Sequence, residues 1–244
     1  MNALIIGGTS AVAERVIRNF ASQGASVYIT GRDLNHLECI AMDLRLRGSG
    51  CVEIERLDLS DWAAVDGVVE RASLALGFID TVIFTAGLLP NQDRVNDDAQ
   101  LLRTAMDLNA TSAMVLMNEA AAFFEQQGHG QIVAIGSVAG DRGRATNYAY
   151  GAAKGALEIF LSGLRQRLHK RGVQVLLVKP GFVDTPMTAA FKKGPLWASP
   201  ERVARDIVRA MEKGKSVIYT PWWWRWIMLV IRLIPEALFV RLRF

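Results

Sequence analysis

An α/β fold, with a doubly wound, seven-stranded parallel sheet in one domain and a C-terminal amphipathic extension, is predicted by three features of the 244-residue sequence. Short β-branched runs alternate with longer amphipathic segments, the order that a parallel sheet covered by helices requires. Several of these runs are apolar throughout, as strands buried on both faces are. No Pro/Gly-rich linker and no internal repeat interrupts the rhythm.

Taken in order, strands are expected at residues 3–7 (Ala-Leu-Ile-Ile-Gly), 26–30, 51–57, 80–85, 131–135, 173–178 and 216–219. Amphipathic helices are expected between and after them at 11–23, 34–47, 62–75, 98–126, 148–170 and 200–213. Right-handed crossovers make the doubly wound topology the economical one. The domain is read as 1–220, with 221–244 as an aromatic and basic extension. Composition agrees with a large core: 51% of residues are apolar and 21% charged. Cys39 and Cys51 lack metal-ligand spacing, no metal set is found, and no secretory signal precedes the first strand. A reduced, cytoplasmic chain is the simplest expectation. The net charge of +4 is uneven: residues 222–244 carry Arg225, Arg232, Arg241 and Arg243 against Glu236 alone. These arginines lie in a tryptophan-rich apolar stretch, not on a polar basic stripe, which excludes nucleic acid as the expected partner.

The first strand runs into Gly7-Gly8-Thr9-Ser10-Ala11-Val12-Ala13 and then a helix. A dinucleotide pyrophosphate needs a tight turn, close backbone approach and the N–H groups of a helix N-terminus. Gly7 supplies the turn, while Ala11 and Ala13 stand where glycines are usual. Arg32 follows the second strand, where an adenosine ribose lies; an arginine there pairs with a 2′-phosphate and favours NADP(H) over NAD(H). Asp58-Leu59 ends the third strand, where a carboxylate can meet the adenine amino group. Thr85-Ala86-Gly87 ends the fourth with small residues over which a cofactor can pass. Pro180, Gly181, Val183 and Thr185 follow the sixth strand and are expected to fix the cofactor's carboxamide.

Tyr150 and Lys154, four residues apart, share one helix face. A phenol is a sluggish base at neutral pH, and a cation about 4 Å away is worth roughly 4 kcal/mol at an effective dielectric of 20, about three pKa units. Lys154 is therefore expected to bring Tyr150 towards neutrality and to hold the nicotinamide ribose. Ser137 lies thirteen residues before Tyr150, just after the fifth strand, where its hydroxyl can stabilise charge on a substrate oxygen. Asn109, in the long fourth helix, is expected to hold a water in line with Lys154 for proton relay.

In this order and at these points of the strand–helix rhythm, the residues resemble the short-chain dehydrogenase/reductase family from Met1 to about Thr220. The resemblance implies a Rossmann sheet, a nicotinamide cofactor, a tetrad of Tyr150, Lys154, Ser137 and Asn109, and a homo-oligomer. It also marks two departures, the Ala11/Ala13 loop and Thr85 where asparagine is usual.

Two segments speak to substrate. Arg142, Arg144 and Asn147 lie between Ser137 and Tyr150 and either bind an anionic group on the substrate or meet solvent or a neighbouring subunit. The tail's apolar runs fall short of the ~20 residues that span a bilayer. Its tryptophans and arginines suit a helix lying in the inner-membrane interface, or else a face packed on the core or another subunit. Both segments are similar to those of reductases acting on polyprenyl-phosphoryl keto-pentoses. The alternatives are reduction of a 3-oxoacyl thioester or another soluble ketone, and a non-catalytic, NADP-binding, membrane-associated subunit. The altered glycine loop favours the last; the complete tetrad opposes it.

Overall fold

Along β1 (Asn2–Ile6), Ala3 and Ile5 enter one apolar cluster while Leu4 and Ile6 enter another. A strand coated on both faces sits inside a sheet with helices on each side. The computed structural model, which describes residues 1–242, has that architecture. β2 (Ser26–Gly31), β3 (Val52–Arg56), β4 (Thr81–Phe84), β5 (Gly130–Ile135), β6 (Val173–Pro180) and β7 (Val217–Thr220) join β1 in one seven-stranded sheet of order β3-β2-β1-β4-β5-β6-β7. Every neighbouring pair is parallel. The order reverses between β1 and β4, which leaves a crevice at the carboxyl ends of the strands.

The helices follow the chain as α1 (Ala11–Ala21), α2 (Leu34–Leu46), α3 (Trp62–Val65), α4 (Val68–Leu76), α5 (Gln92–Asp97), α6 (Ala99–Met106), α7 (Ser112–Gln127), α8 (Tyr148–Leu168), α9 (Pro200–Glu212), α10 (Trp224–Leu233) and α11 (Glu236–Phe239). Val16, Ile17 and Phe20 of α1, Leu37 and Leu44 of α2, and Val203 and Ile207 of α9 fill the cluster on one face of the sheet. Val69 of α4, Leu116 and Phe124 of α7, and Leu157 and Leu161 of α8 fill the other.

Three expectations are corrected. The helix predicted at 62–75 is two, α3 and α4, because Asp66 is extended and Gly67 adopts a left-handed φ of 72° between them. The helix predicted at 98–126 is α6, a π turn (Asp107–Thr111) and α7. The slip has a local cause: the Asn109 amide nitrogen donates to Ala105 O at 2.8 Å, taking the acceptor that its own backbone N–H would use in an α-helix. The short α5 was not predicted at all. At the C-terminus, α10 buries Trp224 and Met228 against Val138. Of the extension read at 221–244, Arg243 and Phe244 lie outside the described residues. No described helix is long and apolar enough to cross a membrane.

Candidate active site

The crevice at the carboxyl ends of the strands is a cleft of about 650 Å³. At its cofactor end the chain leaves β1 through Gly7, whose φ is +83°. A Cβ there would also fall 2.7 Å from Ala86 N and 2.8 Å from Ala86 Cα, so the residue must be glycine on both counts. Thr85 accounts for the tightness of this approach: its hydroxyl lies 2.9 Å from Ile6 O and 2.8 Å from Gly7 O, tying the end of β4 to the glycine turn. Thr9, Ser10, Ala11 and Val12 line the cleft beside Gly7. Ser10 makes no side-chain bond to the first turn of α1, whereas Asp33 caps α2 by accepting from His36 N. The N-terminus of α1 is thus the end suited to a phosphate. Ala13 does not reach the cleft; it is buried in the core.

Exposed Arg32 lines the cleft at the end of β2, and Leu59, Ala86 and Gly87 line it beyond β3 and β4. Asp58 is not part of that lining. Its carboxylate accepts from Ser60 N at 3.0 Å and from the Ser60 hydroxyl at 2.7 Å, bonds that hold it below the usual carboxylate range. Pro180, Gly181, Val183 and Thr185 close the far wall.

The catalytic candidates are assembled by close packing of two glycine-bearing segments. Ser137 opens a 3₁₀ turn (Val138–Asp141) that lies directly on α8. A Cβ on Gly140 would meet Gly155 N at 2.8 Å, and one on Gly151 would meet Ala139 O at 2.7 Å. The glycines that follow Tyr150 and Lys154 therefore let the Ser137 turn touch the helix backbone. The start of α8 is fixed from α5: Gln92 accepts from Ala149 N at 3.0 Å and Asn96 accepts from the Tyr148 hydroxyl at 2.6 Å. Ser137, Tyr150 and Lys154 all line the cleft.

Electrostatically the site departs from expectation. Burial pushes the Tyr150 phenol up to about 12, with a hydrogen bond from Ser137 acting the other way. Lys154 does not lower it; the ammonium lies 5.8 Å from the centroid of the Tyr150 ring and donates to Ile135 O at 2.8 Å. Burial lowers Lys154 itself to about 8. The Tyr150 phenol is therefore protonated at pH 7, and Lys154 is the group shifted towards neutrality. Asn109 is fully buried and does not line the cleft. Its side chain grips one residue from both sides, accepting from Leu88 N at 2.9 Å and donating to Leu88 O at 2.7 Å. With its amide also bonded to Ala105 O at 2.8 Å, the side chain braces the Leu88 backbone beside Lys154.

The loop read for substrate divides. Arg144 and Asn147 line the cleft. Arg142 does not: it donates to Ile231 O at 2.7 Å and Ile234 O at 2.6 Å and pairs with Glu236 at 2.7 Å, so the anion-binding reading fails there. Next to it, Asp141 turns the opposite way and pairs with Lys179, which also meets Glu158 at 2.7 Å, while Tyr219 donates to Asp141 at 3.0 Å. Burial alone would lower Lys179, but the two carboxylates hold its pKa above the usual value. This network pins the Ser137 turn to β6 and β7. Sequence reasoning passed over it, although a lysine ending the apolar run Val-Leu-Leu-Val demands a buried counter-charge.

A dinucleotide-sized cleft at the switch point, with a Ser/Tyr/Lys cluster at one end and a helix N-terminus at the other, has counterparts among known proteins. A family model described as short chain dehydrogenase matches residues 1–195. The chain is a short-chain dehydrogenase/reductase. An uncharacterised oxidoreductase of Mycobacterium tuberculosis is 34% identical over 239 residues, covering 98% of this chain and 96% of the relative. Another, from Streptomyces coelicolor, is 32% identical over 246 residues, covering 98% of this chain and 94% of the relative. Among solved structures, a short-chain dehydrogenase from Sphingobium yanoikuyae in complex with NADPH has a TM-score of 0.84 at 25% identity, with 97% of each chain covered. The enzyme is thus an oxidoreductase with a fold that binds NAD(P).

Proposed function

We propose that this short-chain dehydrogenase/reductase is an NADPH-dependent reductase of a ketone on an anionic substrate, and that the ketone belongs to a lipid-linked keto-sugar at the inner face of the membrane. The observation that carries the anionic class is Arg144. Its guanidinium is largely withdrawn from water into the cleft wall, its Nε has no hydrogen-bond partner, and burial lowers its pKa. Asn147 Oδ1, in the same wall, is likewise buried without a partner. A desolvated cation with an unpaired donor is costly, and a phosphate or carboxylate arriving in the cleft relieves the cost. Arg144→Gln is expected to raise KM for an anionic ketone about 10- to 100-fold with little change in kcat. An unchanged KM would remove the anionic reading.

When bound, the nicotinamide cofactor supplies the hydride. The Tyr150 hydroxyl, kept protonated by burial, gives its proton to the carbonyl oxygen, and the phenolate is reprotonated through solvent. The Ser137 hydroxyl donates to the same oxygen as it gains charge. Lys154 opposes that charge with its own.

Arg32 supports NADP(H), since it stands exposed at the cleft edge beyond β2 where a 2′-phosphate would lie. NADPH is expected to bind at least about tenfold tighter than NADH, a gap of ~1.4 kcal/mol. Arg32→Ala should erase that gap in a nicotinamide-fluorescence titration; equal affinity for both cofactors in the unmutated enzyme would refute the assignment. Exposed Val115 on α7 and Ile159 on α8 offer a face for a homo-oligomer.

A further inference from the structure

Helix α10 is apolar on two opposite sides. Trp224, Ile227, Met228 and Ile231, at helical spacing i, i+3, i+4 and i+7, face inward and cluster on Val138. Trp226, Leu229, Val230 and Leu233 repeat that spacing on the far side and are 57%, 44%, 63% and 73% exposed. A helix with apolar residues all round is normally covered all round. Exposed Arg225 and Arg232 flank the outer stripe on one side.

The stripe is held in place on the enzyme. Arg142, from the turn that carries Ser137, is bonded to the carbonyl groups ending α10 and to Glu236, and its guanidinium lies 3.7 Å from the centroid of the Phe239 ring. Trp224 meets Phe182 edge-on at 5.1 Å, and Phe182 stacks on Trp197 at 5.4 Å. This aromatic row joins α10 to the loop between β6 and α9. In that loop Phe191 and Leu196 are 53% and 40% exposed, and Lys192 is exposed beside them. Phe182, in the middle of the row, lines the cleft.

We propose that the outer stripe of α10 and the Phe191–Leu196 loop form one docking surface for an anionic lipid bilayer, so that the substrate side of the cleft, at Phe182 between them, opens towards the lipid. The occupant follows from the chemistry of the surface. Tryptophan and aliphatic side chains interspersed with Lys192, Arg225 and Arg232 match an interface with a negative surface potential. Glu236, the acidic group on the tail, is already engaged by Arg142. The proposal deepens the lipid-linked reading above by giving the site its orientation, but its test needs no turnover.

The full-length chain is sedimented with phosphatidylcholine vesicles with and without phosphatidylglycerol. Binding is expected only to the anionic vesicles, weakened by salt. Trp226→Glu with Val230→Glu, and separately Phe191→Glu with Leu196→Glu, should each lower the partition coefficient about tenfold or more. Arg225→Gln with Arg232→Gln should remove much of the salt dependence. All these side chains are exposed, and unaltered NADPH affinity would show that each variant is folded. Equal partitioning of unmutated protein and tail variant would overturn the proposal. An effect of the tail pair without any effect of the loop pair would overturn the orientation. A dimer in light scattering that the tail pair dissociates, with no vesicle binding, would assign the stripe to a second copy of the chain. Loss of the reductase reading would leave the vesicle result standing.

Discussion

Tyr150→Phe should lower turnover of any carbonyl substrate by about 10³-fold while leaving NADPH affinity within about twofold. Phenylalanine keeps the ring that packs at the start of α8 and deletes only the hydroxyl in the cleft. That hydroxyl has a narrow role. Burial pushes it up to about 12, so it stays protonated through the working range and acts as acid without help from pH. The substitution therefore removes the proton donor and nothing that binds the dinucleotide phosphates, which lie at the α1 end. The pair of measurements also separates function classes. Tight NADPH binding by the unmutated chain with no turnover of any carbonyl would favour the non-catalytic nucleotide-binding alternative. Turnover that survives in Tyr150→Phe would assign the proton to another group.

Most of the fold was legible because buried parallel strands announce themselves. The seven apolar runs and the six long amphipathic segments follow from alternating burial on two faces, and the observed strands shift by a residue or two at their ends. What was misread follows from tertiary contacts that no period encodes. The break between α3 and α4 needs the left-handed φ at Gly67, and a single glycine in a helical pattern does not announce that conformation. The π turn exists because Asn109 reaches Leu88, twenty-one residues away, and takes Ala105 O on the same helix. The sequence places Asn109 in one uninterrupted helix beside Lys154; the structure adds that its side chain braces Leu88 from within the π turn.

The candidate site divides in the same way. Gly7, Arg32, Ser137 and Gly181 were found from their positions after strands, because the topology sends every strand end to one edge of the sheet, and Tyr150 and Lys154 from their four-residue spacing on one helix face. Arg142 and Arg144, two residues apart in an irregular loop, have no period to say which side each faces. One is held by the carbonyl groups of the tail and the other lines the cleft. Lys179 and Asp141 went unread because the partner of a buried charge lies on a neighbouring strand or loop, in this case thirty-eight residues away.

Lys154→Met should make the enzyme more stable and nearly inactive. Lys154 is 4% exposed, and burial lowers its pKa from 10.5 to about 8. A depressed lysine means that the unfolded chain binds more protons between these values, so stability rises with pH from about 8 to 10.5 and the full penalty operates below 8. That penalty is on the order of 3 kcal/mol at neutral pH. Methionine removes it, fits the same volume and forfeits the bond to Ile135 O, a loss of about 1 to 2 kcal/mol. The net gain of about 1 kcal/mol should raise Tm by about 2–4 °C at pH 7, and the gain should shrink as pH approaches 10. Activity should move the opposite way, falling about 100-fold or more. In the unmutated enzyme the rate of ketone reduction should decline as pH rises through about 8, because Tyr150 remains protonated there and Lys154 is the group losing its charge. A lower Tm in Lys154→Met would mean that the ammonium's bond to the end of β5 outweighs its desolvation. A reductive rate flat to pH 10 would mean that the charge on Lys154 is not what the reaction uses.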